Sequence, residues 1–450
     1  MRESLTGITL MNNIYSYWNS VWSDIQNNQK QHFAFIPITL YVITIPLSLG
    51  INNLMLLLLV ATTLLSYKKW QVGSHIVYYL FAALFILSAI SYFWSVDPER
   101  TLKTIPRNIY WVLLPILFVF LPVFTKEIKQ AVLKYYSYSM VGYGIFYVVK
   151  AIFRFIQTGN KEVFFYHELV TKEVNAIHVS VYFALAFFYF YNLSVKKTIH
   201  WFSAAFLAIL LFLLSSKLII VVFVLLFLVN YFFFTKSAQK LRMRNLMIFV
   251  LLVGSILFFG KIKERFAVEL QANNEKSISH TVLEMQNQGI HIVSVYEAWN
   301  QEKFSPNDFF PGTAFRVYQA RMLKVLLEEE SPWLTGYGLE GSYKKLEEKA
   351  IKYNVFLGNE NSEGYQKKNF HNQYLQLLAD LGIFGLLLLV FILVILVKNA
   401  FSLKDFVPIA FTILMISLFL TESFLWRQRG IVFFTIFTLM MLPKVTKQQQ

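Results

Sequence analysis

Apolar runs separated by short polar breaks fill most of this chain. The runs fall at 32–50, 51–67, 75–94, 109–124, 131–156, 175–192, 199–216, 218–234, 245–260, 374–397, 406–421 and 429–443. Most are long enough to cross a bilayer as a helix, so the pattern predicts about twelve spans. Ahead of them, Leu10, Met11, Ile14, Trp18, Val21, Trp22 and Ile25 share one face at helical spacing. That face, with its two tryptophans, predicts a helix lying in the membrane interface over residues 1–31. One long polar stretch, 261–370, interrupts the series. A structureless loop of about 110 residues is foreign to a compact protein, so this stretch is expected to fold. Within it Thr313 is placed to cap a helix running to Glu330. Ser331-Pro332 breaks that helix, a second amphipathic helix is expected over 341–354, and 357–369 reads as a polar loop. The predicted organisation is an interfacial segment 1–31, nine spans in 32–260, a folded segment 261–370, and three spans in 371–450.

Composition supports an all-α polytopic membrane protein. The chain of 450 residues is 56% hydrophobic and only 15% charged, and its mean hydropathy is +0.50. A soluble globular chain is nearer a quarter charged. The first residues lack a short apolar core with a cleavage site, so the first span is expected to direct insertion itself. The absence of cysteine excludes disulfides and thiolate metal sites. The net charge of +15 fits contact with anionic lipid, and no nucleic-acid module accompanies it.

Loop charge sets the expected orientation. One set of alternate loops carries Lys68, Lys69, Lys126, Lys129, Lys196, Lys197, Lys236, Lys240, Arg242, Arg244, Lys398 and Lys404, with Lys444 and Lys447 after the last span. The opposite set carries Arg100, Lys103, Arg107, Lys161, Lys172, Lys217, Arg427 and Arg429. The richer side is expected to be cytoplasmic, with both termini, which leaves 261–370 outside. The outer side is still more basic than insertion requires, which points to an anionic ligand there.

Parity collects several polar features at that outer face. They are His178 at the start of the sixth span, Ser215-Ser216-Lys217 after the seventh, Arg316 in the folded segment, His371-Asn372 opening the tenth span, and Glu422, Arg427 and Arg429 between the last two. The middles of the spans are nearly free of charge. A transporter or flippase would distribute polar groups through the membrane depth, so the pattern favours chemistry at one surface. Each residue also has a plainer role. His178 fits an interfacial stack, and Arg316 an exposed salt bridge to Glu328, Glu329 or Glu330. Arg427 and Arg429 fit snorkelling side chains, Asn372 a helix cap, and Gly382 with Gly385 close helix packing.

Three stretches resemble the O-antigen ligase and Wzy-polymerase superfamily of bacterial membrane glycosyltransferases. The first is Arg316, an amphipathic helix, then Pro332-Trp333-Leu334-Thr335-Gly336-Tyr337-Gly338. The second is His371-Asn372-Gln373-Tyr374-Leu375 with Gly382 and Gly385. The third is Phe93-Trp94-Ser95 with Asp97 and Pro98. The resemblance implies a GT-C-like arrangement of spans with a large helical periplasmic loop. It implies a donor glycan on undecaprenyl diphosphate and an acceptor hydroxyl on lipid A-core, another glycan or a protein. It also implies His371 as general base, with Asn372, His178 and Glu422 supporting it. Lys217, Arg316, Arg427 and Arg429 would hold the diphosphate, with neither metal nor cofactor. Many relatives have Ser-Arg where this chain has Ser216-Lys217, which keeps the charge and loses the two-pronged guanidinium. Ligase, polymerase and protein O-oligosaccharyltransferase share this donor chemistry.

The orientation yields a direct test. Glu360→Cys should react with an impermeant thiol reagent in intact spheroplasts. Labelling only after the inner membrane is broken would reverse the topology.

Overall fold

The structure is a computed structural model that describes residues 2–214, 217–234, 289–360, 363–443 and 445–446. The predicted span 245–260, the Ser215-Ser216 turn and residues 261–288 lie outside the described residues. Among the described residues the longer helices are α1 (Arg2–Gln31), α2 (Phe35–Ile43), α3 (Leu49–Leu65), α4 (Ile76–Ile90), α5 (Pro98–Asn108), α6 (Tyr110–Phe120), α7 (Lys126–Thr158), α8 (Ala176–Asn192), α9 (Thr198–Leu213), α10 (Lys217–Val229), α11 (Gly312–Glu330), α12 (Ser342–Lys352), α13 (Gln373–Ser402), α14 (Phe406–Phe419) and α15 (Gln428–Met441). Among the described residues the strands form two-residue pairs, Gly73–Ser74 with Val445–Thr446 and His291–Ile292 with Asp308–Phe309.

Among the described residues five helical stretches are long and apolar enough to cross a membrane: Ile76–Trp94, Pro98–Phe120, Lys126–Thr158, Lys217–Phe234 and Gln373–Ser402. Five shorter apolar helices, α3, α8, α9, α14 and α15, pack with them. Large apolar side chains such as Leu57, Phe153, Ile156 and Phe202 are exposed on the bundle, as hydrocarbon-facing side chains are. The run at 32–50 differs from expectation. Its helix stops after nine residues at Ile43, where Thr44 Oγ1 donates to the Leu40 carbonyl and Pro46 follows. Trp18 and Trp22 of α1 are exposed, in keeping with an interfacial face.

Residues 289–370 fold around their own apolar core. Val293, Phe304, Phe310, Phe315, Tyr318 and Met322 are buried there together with Ala379 of α13. The polar segment is therefore seated on the first turns of α13. Thr313 is not the cap of α11: Pro311 holds that position and the helix begins at Gly312. Helix α12 falls within the stretch expected from the sequence.

A break in α13 joins segment and bundle. Gly382 sits at φ 65°, ψ −163° inside that helix, a conformation open essentially to glycine alone. The break frees backbone groups, and the loop after α11 takes them up. Ile383 N–H donates to the Trp333 carbonyl at 2.8 Å, and Tyr337 N–H donates to the Ala379 carbonyl at 2.9 Å. The expected role of Gly382 in close packing is thus replaced by a helix opened to receive a loop. Gly336, also at positive φ, passes so close that a Cβ would lie 2.5 Å from Asp380 backbone carbon. The early motif residues meet the same loop. Trp94 Nε1 donates to the Thr335 carbonyl, Val96 N–H to the Tyr337 carbonyl, and Thr101 Oγ1 to the Leu339 carbonyl.

Gly382→Ala should therefore cost about 1–3 kcal/mol from backbone conformation alone, and more from a Cβ placed 2.1 Å from the Leu334 oxygen. Gly142→Ala has open space around the added methyl and should be near neutral. Thermal unfolding of both variants in detergent checks the contrast.

Candidate active site

The tenth predicted span begins with a cap. Asn372 Oδ1 accepts from the Tyr374 and Leu375 amides and satisfies two free donors of the first turn. Its Nδ2 donates to the Leu420 carbonyl. His371, immediately before the cap, has φ 46°, a left-handed conformation that costs a non-glycine residue energy and persists where its surroundings enforce it. Its amide donates to Asn369 Oδ1 at 2.9 Å, and its ring meets Phe315 edge-on at 5.7 Å.

His371 and Glu422 are brought together. Nδ1 of His371 lies 3.1 Å from Glu422 Oε2. A proton on Nδ1, donated to the carboxylate, leaves the Nε2 lone pair available for a substrate proton. The imidazole is partly exposed and the carboxylate buried, at 29% and 9% of their side-chain surfaces. Burial by itself raises the Glu422 carboxyl. The hydrogen bond from His371 and the charges of His371 and Arg316 outweigh it, so the pKa falls below the ordinary carboxylate value.

The segment carrying Glu422 is pinned from two sides. Arg316 donates from Nε and Nη2 to the Thr421 carbonyl at 2.9 and 2.8 Å, and from Nη1 to the Gly312 carbonyl. The expected partners Glu328, Glu329 and Glu330 pair instead with Lys324, with Lys349 and Lys352, and with Lys345. From α13, Gln373 Oε1 accepts from the Leu425 amide at 2.7 Å, and Gln376 Oε1 accepts from Ser423 Oγ. Gln376 Nε2 reaches the buried Asp380 carboxylate, which Ser342 Oγ also contacts. Sequence reading passed over Gln373, Gln376 and Asp380. The signal for them was three polar side chains in the first turns of an otherwise apolar helix.

The other predicted residues separate by role. His178 is buried in the first turn of α8 with its ring 4.3 Å from that of Phe424, and its charged neighbours are Arg427, Glu422 and Arg429. Arg429 is engaged by the protein: Nε and Nη2 donate to the Leu47 carbonyl and Nη1 to the Glu173 carbonyl. Arg427 is exposed and makes no side-chain hydrogen bond or ion pair among the described residues. Lys217 opens α10, which packs against α14, the helix that leads into Glu422.

Residues 202–390 match a family model described as O-antigen ligase. The match takes in Lys217, Arg316 and the His371-Asn372 pair, and stops before Glu422, Arg427 and Arg429. Comparison with curated proteins finds no match.

The Glu422 shift carries a sign. A carboxyl whose folded pKa is depressed adds stability above its unfolded pKa and loses it as pH falls through the folded value. The melting temperature of the wild type should exceed that of Glu422→Gln near neutral pH. The gap should close as pH falls below the ordinary glutamate range and through the lower folded value, read by thermal unfolding from neutral to acid pH. A gap independent of pH would mean that the carboxylate charge contributes nothing to the pair.

Proposed function

We propose, from the match of residues 202–390 to the O-antigen ligase family model, that the chain transfers a glycan from undecaprenyl diphosphate to an acceptor hydroxyl at the outer face of the bacterial inner membrane. The termini are then cytoplasmic and the folded segment periplasmic. The observation that carries the reading is the His371–Glu422 pair, set at the junction of the folded segment and the bundle.

The reaction makes two demands. A sugar hydroxyl is a weak nucleophile at neutral pH, so a positioned base accelerates its attack on the anomeric carbon. In the proposed step His371 Nε2 takes the hydroxyl proton while the new C–O bond forms. The bond from the anomeric carbon to the diphosphate oxygen breaks, and both electrons leave with the diphosphate. The proton on the imidazole then passes to solvent. Glu422, accepting at Nδ1, holds the tautomer and stabilises the imidazolium that forms transiently. The departing diphosphate needs its growing charge balanced, which cations do strongly at a surface partly shielded from water. Lys217 and Arg427 supply that charge. Arg316 acts chiefly by fixing the Thr421-Glu422 backbone, and Arg429 by tying the start of α15 to the segment after α2.

A ligase acting on lipid A-core is the leading form of this activity. Deletion of the chromosomal gene should then leave uncapped core on a surface-glycan gel. Single repeat units would instead identify a polymerase on the same donor. Complementation with His371→Ala should lower transfer by roughly 10²–10⁴-fold, with the protein still inserted. His371→Gln should fail equally, since an amide does not take up the proton. Transfer by the Gln variant at near wild-type rate would reduce His371 to a positioning role.

A further inference from the structure

The loop that enters the opened α13 carries no charged side chain from Ser331 to Leu339. Two of its apolar side chains are left bare: Trp333 is 49% exposed and Leu334 62%. Beside them, Trp94 Nε1 donates to the Thr335 carbonyl at 3.0 Å, and its neighbour Phe93 is 83% exposed. Three large apolar side chains thus stand uncovered where the ends of two helices and the loop of the folded segment meet. Apolar area left in water forgoes about 25 cal/mol per Å², so a group of this kind marks a contact surface.

Two helices measure the depth of that junction. On α13, Phe384, Leu387, Phe391 and Val394 are exposed at alternating steps of three and four residues, one stripe along a single face. Such a stripe on a spanning helix faces hydrocarbon, and exposed Lys398 ends it. The Trp333 carbonyl accepts from the Ile383 amide, one residue before the stripe begins. From Ile383 to Lys398 the helix rises about 22 Å at 1.5 Å per residue. On α4, which packs against α13, Tyr79, Ile86 and Ile90 are exposed, and the stretch Ile76–Trp94 of 19 residues rises about 27 Å. A hydrocarbon core is about 30 Å thick. Both helices therefore put the loop at the far boundary of that core, continuous with the lipid-facing stripes. Irregular backbone at such a depth needs its polar groups paired. The carbonyls of Pro332, Trp333, Thr335 and Tyr337 accept from the Gly336 amide, the Ile383 amide, Trp94 Nε1 and the Val96 amide.

We propose that the Trp333-Leu334 tip of the folded segment, together with Phe93, is inserted into the bilayer at the boundary between head groups and acyl chains, so that lipid is the partner of this surface. Tryptophan suits that boundary, with an apolar ring for the chains and an N–H for the head groups. Residues 333–334 are then an exception within a segment that otherwise lies in water. The membrane holds the folded segment as well as α13 does, and fixes its depth against lipid. The insertion does not depend on the reaction proposed above.

The chain has no cysteine, so one introduced thiol reports one place. Leu334→Cys, Phe93→Cys and, as the water-facing reference, Glu360→Cys are each labelled with bimane in the full chain. The labelled proteins are placed in phosphatidylcholine nanodiscs, where water reaches both faces. Lipid spin-labelled near the head of its acyl chain should remove most of the emission from positions 334 and 93 and leave that from 360 unchanged. Lipid labelled at the chain end should quench less. With the unlabelled variants, a charged thiol reagent should react about tenfold or more slowly at 334 and 93 than at 360, because an apolar setting suppresses the thiolate. Both replaced side chains are exposed and belong to different elements, so a variant that misfolds leaves the other to carry the test. Emission indifferent to labelled lipid, with reactivity like that of 360, would place the tip in water and overturn the insertion. Slow reaction without quenching by lipid also overturns it, and assigns the surface to a protein contact such as a second copy of the chain. Quenching at 334 alone keeps the tip in lipid and removes Phe93 from the surface. A chain that is quenched at the tip but transfers no glycan would sink the proposed reaction and leave the insertion standing.

Discussion

The arrangement depends on a helix that is opened at Gly382 and closed again by another part of the chain. An unpaired backbone amide or carbonyl is costly within an apolar bundle, so a break in α13 survives only if partners are supplied. Trp333 and Tyr337 supply them through their own backbones. The exchange seats the folded segment on α13 at a set depth. That places Arg316 over Thr421, and it places the first turn of α13 against the 420–425 segment. Without the break, the segment and the bundle would have no shared backbone hydrogen bonds at this point, and the relation between His371 and Glu422 would rest on side chains alone.

Two buried carboxylates extend the same logic. Glu422 receives a histidine and Glu340 receives two arginines, so each joins elements far apart in sequence. A buried charge is tolerated when it is paired and hydrogen-bonded. Each carboxylate in turn fixes the direction of the cationic side chain it holds. Glu422 meets Nδ1 of His371, and the second imidazole nitrogen makes no hydrogen bond among the described residues. Glu340 holds Arg107, whose guanidinium lies 5.0 Å from the Trp426 ring centre. The folded segment thus reaches both places, through Arg316 and through Glu340.

Much of this was legible in the sequence because it rests on local pattern. Apolar run length marked the helices, Asn372 announced the cap of α13, and the motif around His371 located the pair's histidine. The contacts that complete the site are long-range and leave little local trace. Gly382 looked like a packing glycine because a positive φ inside a helix has no sequence signature apart from glycine itself. Arg316 had two readings, a diphosphate ligand or a salt-bridge partner of the three glutamates that follow it on the same helix, and only the fold shows its fork meeting a carbonyl 105 residues on. Arg427 and Arg429 are two positions apart on the chain, and only the fold shows that, among the described residues, Arg429 is engaged while Arg427 makes no side-chain hydrogen bond or ion pair. The break at Ile43 was hidden because Pro46 lies within a run whose hydropathy is continuous.

The central claim is that this end of the bundle breaks a glycosyl–diphosphate bond. The most direct measurement reconstitutes the purified chain in proteoliposomes with a lipid-diphosphate-linked glycan and a glycan-accepting lipid A-core, and follows both products by mass spectrometry. The account predicts that free lipid diphosphate appears in step with glycosylated acceptor, one for one. Intact donor that merely exchanges between leaflets, with no lipid diphosphate released, would contradict it.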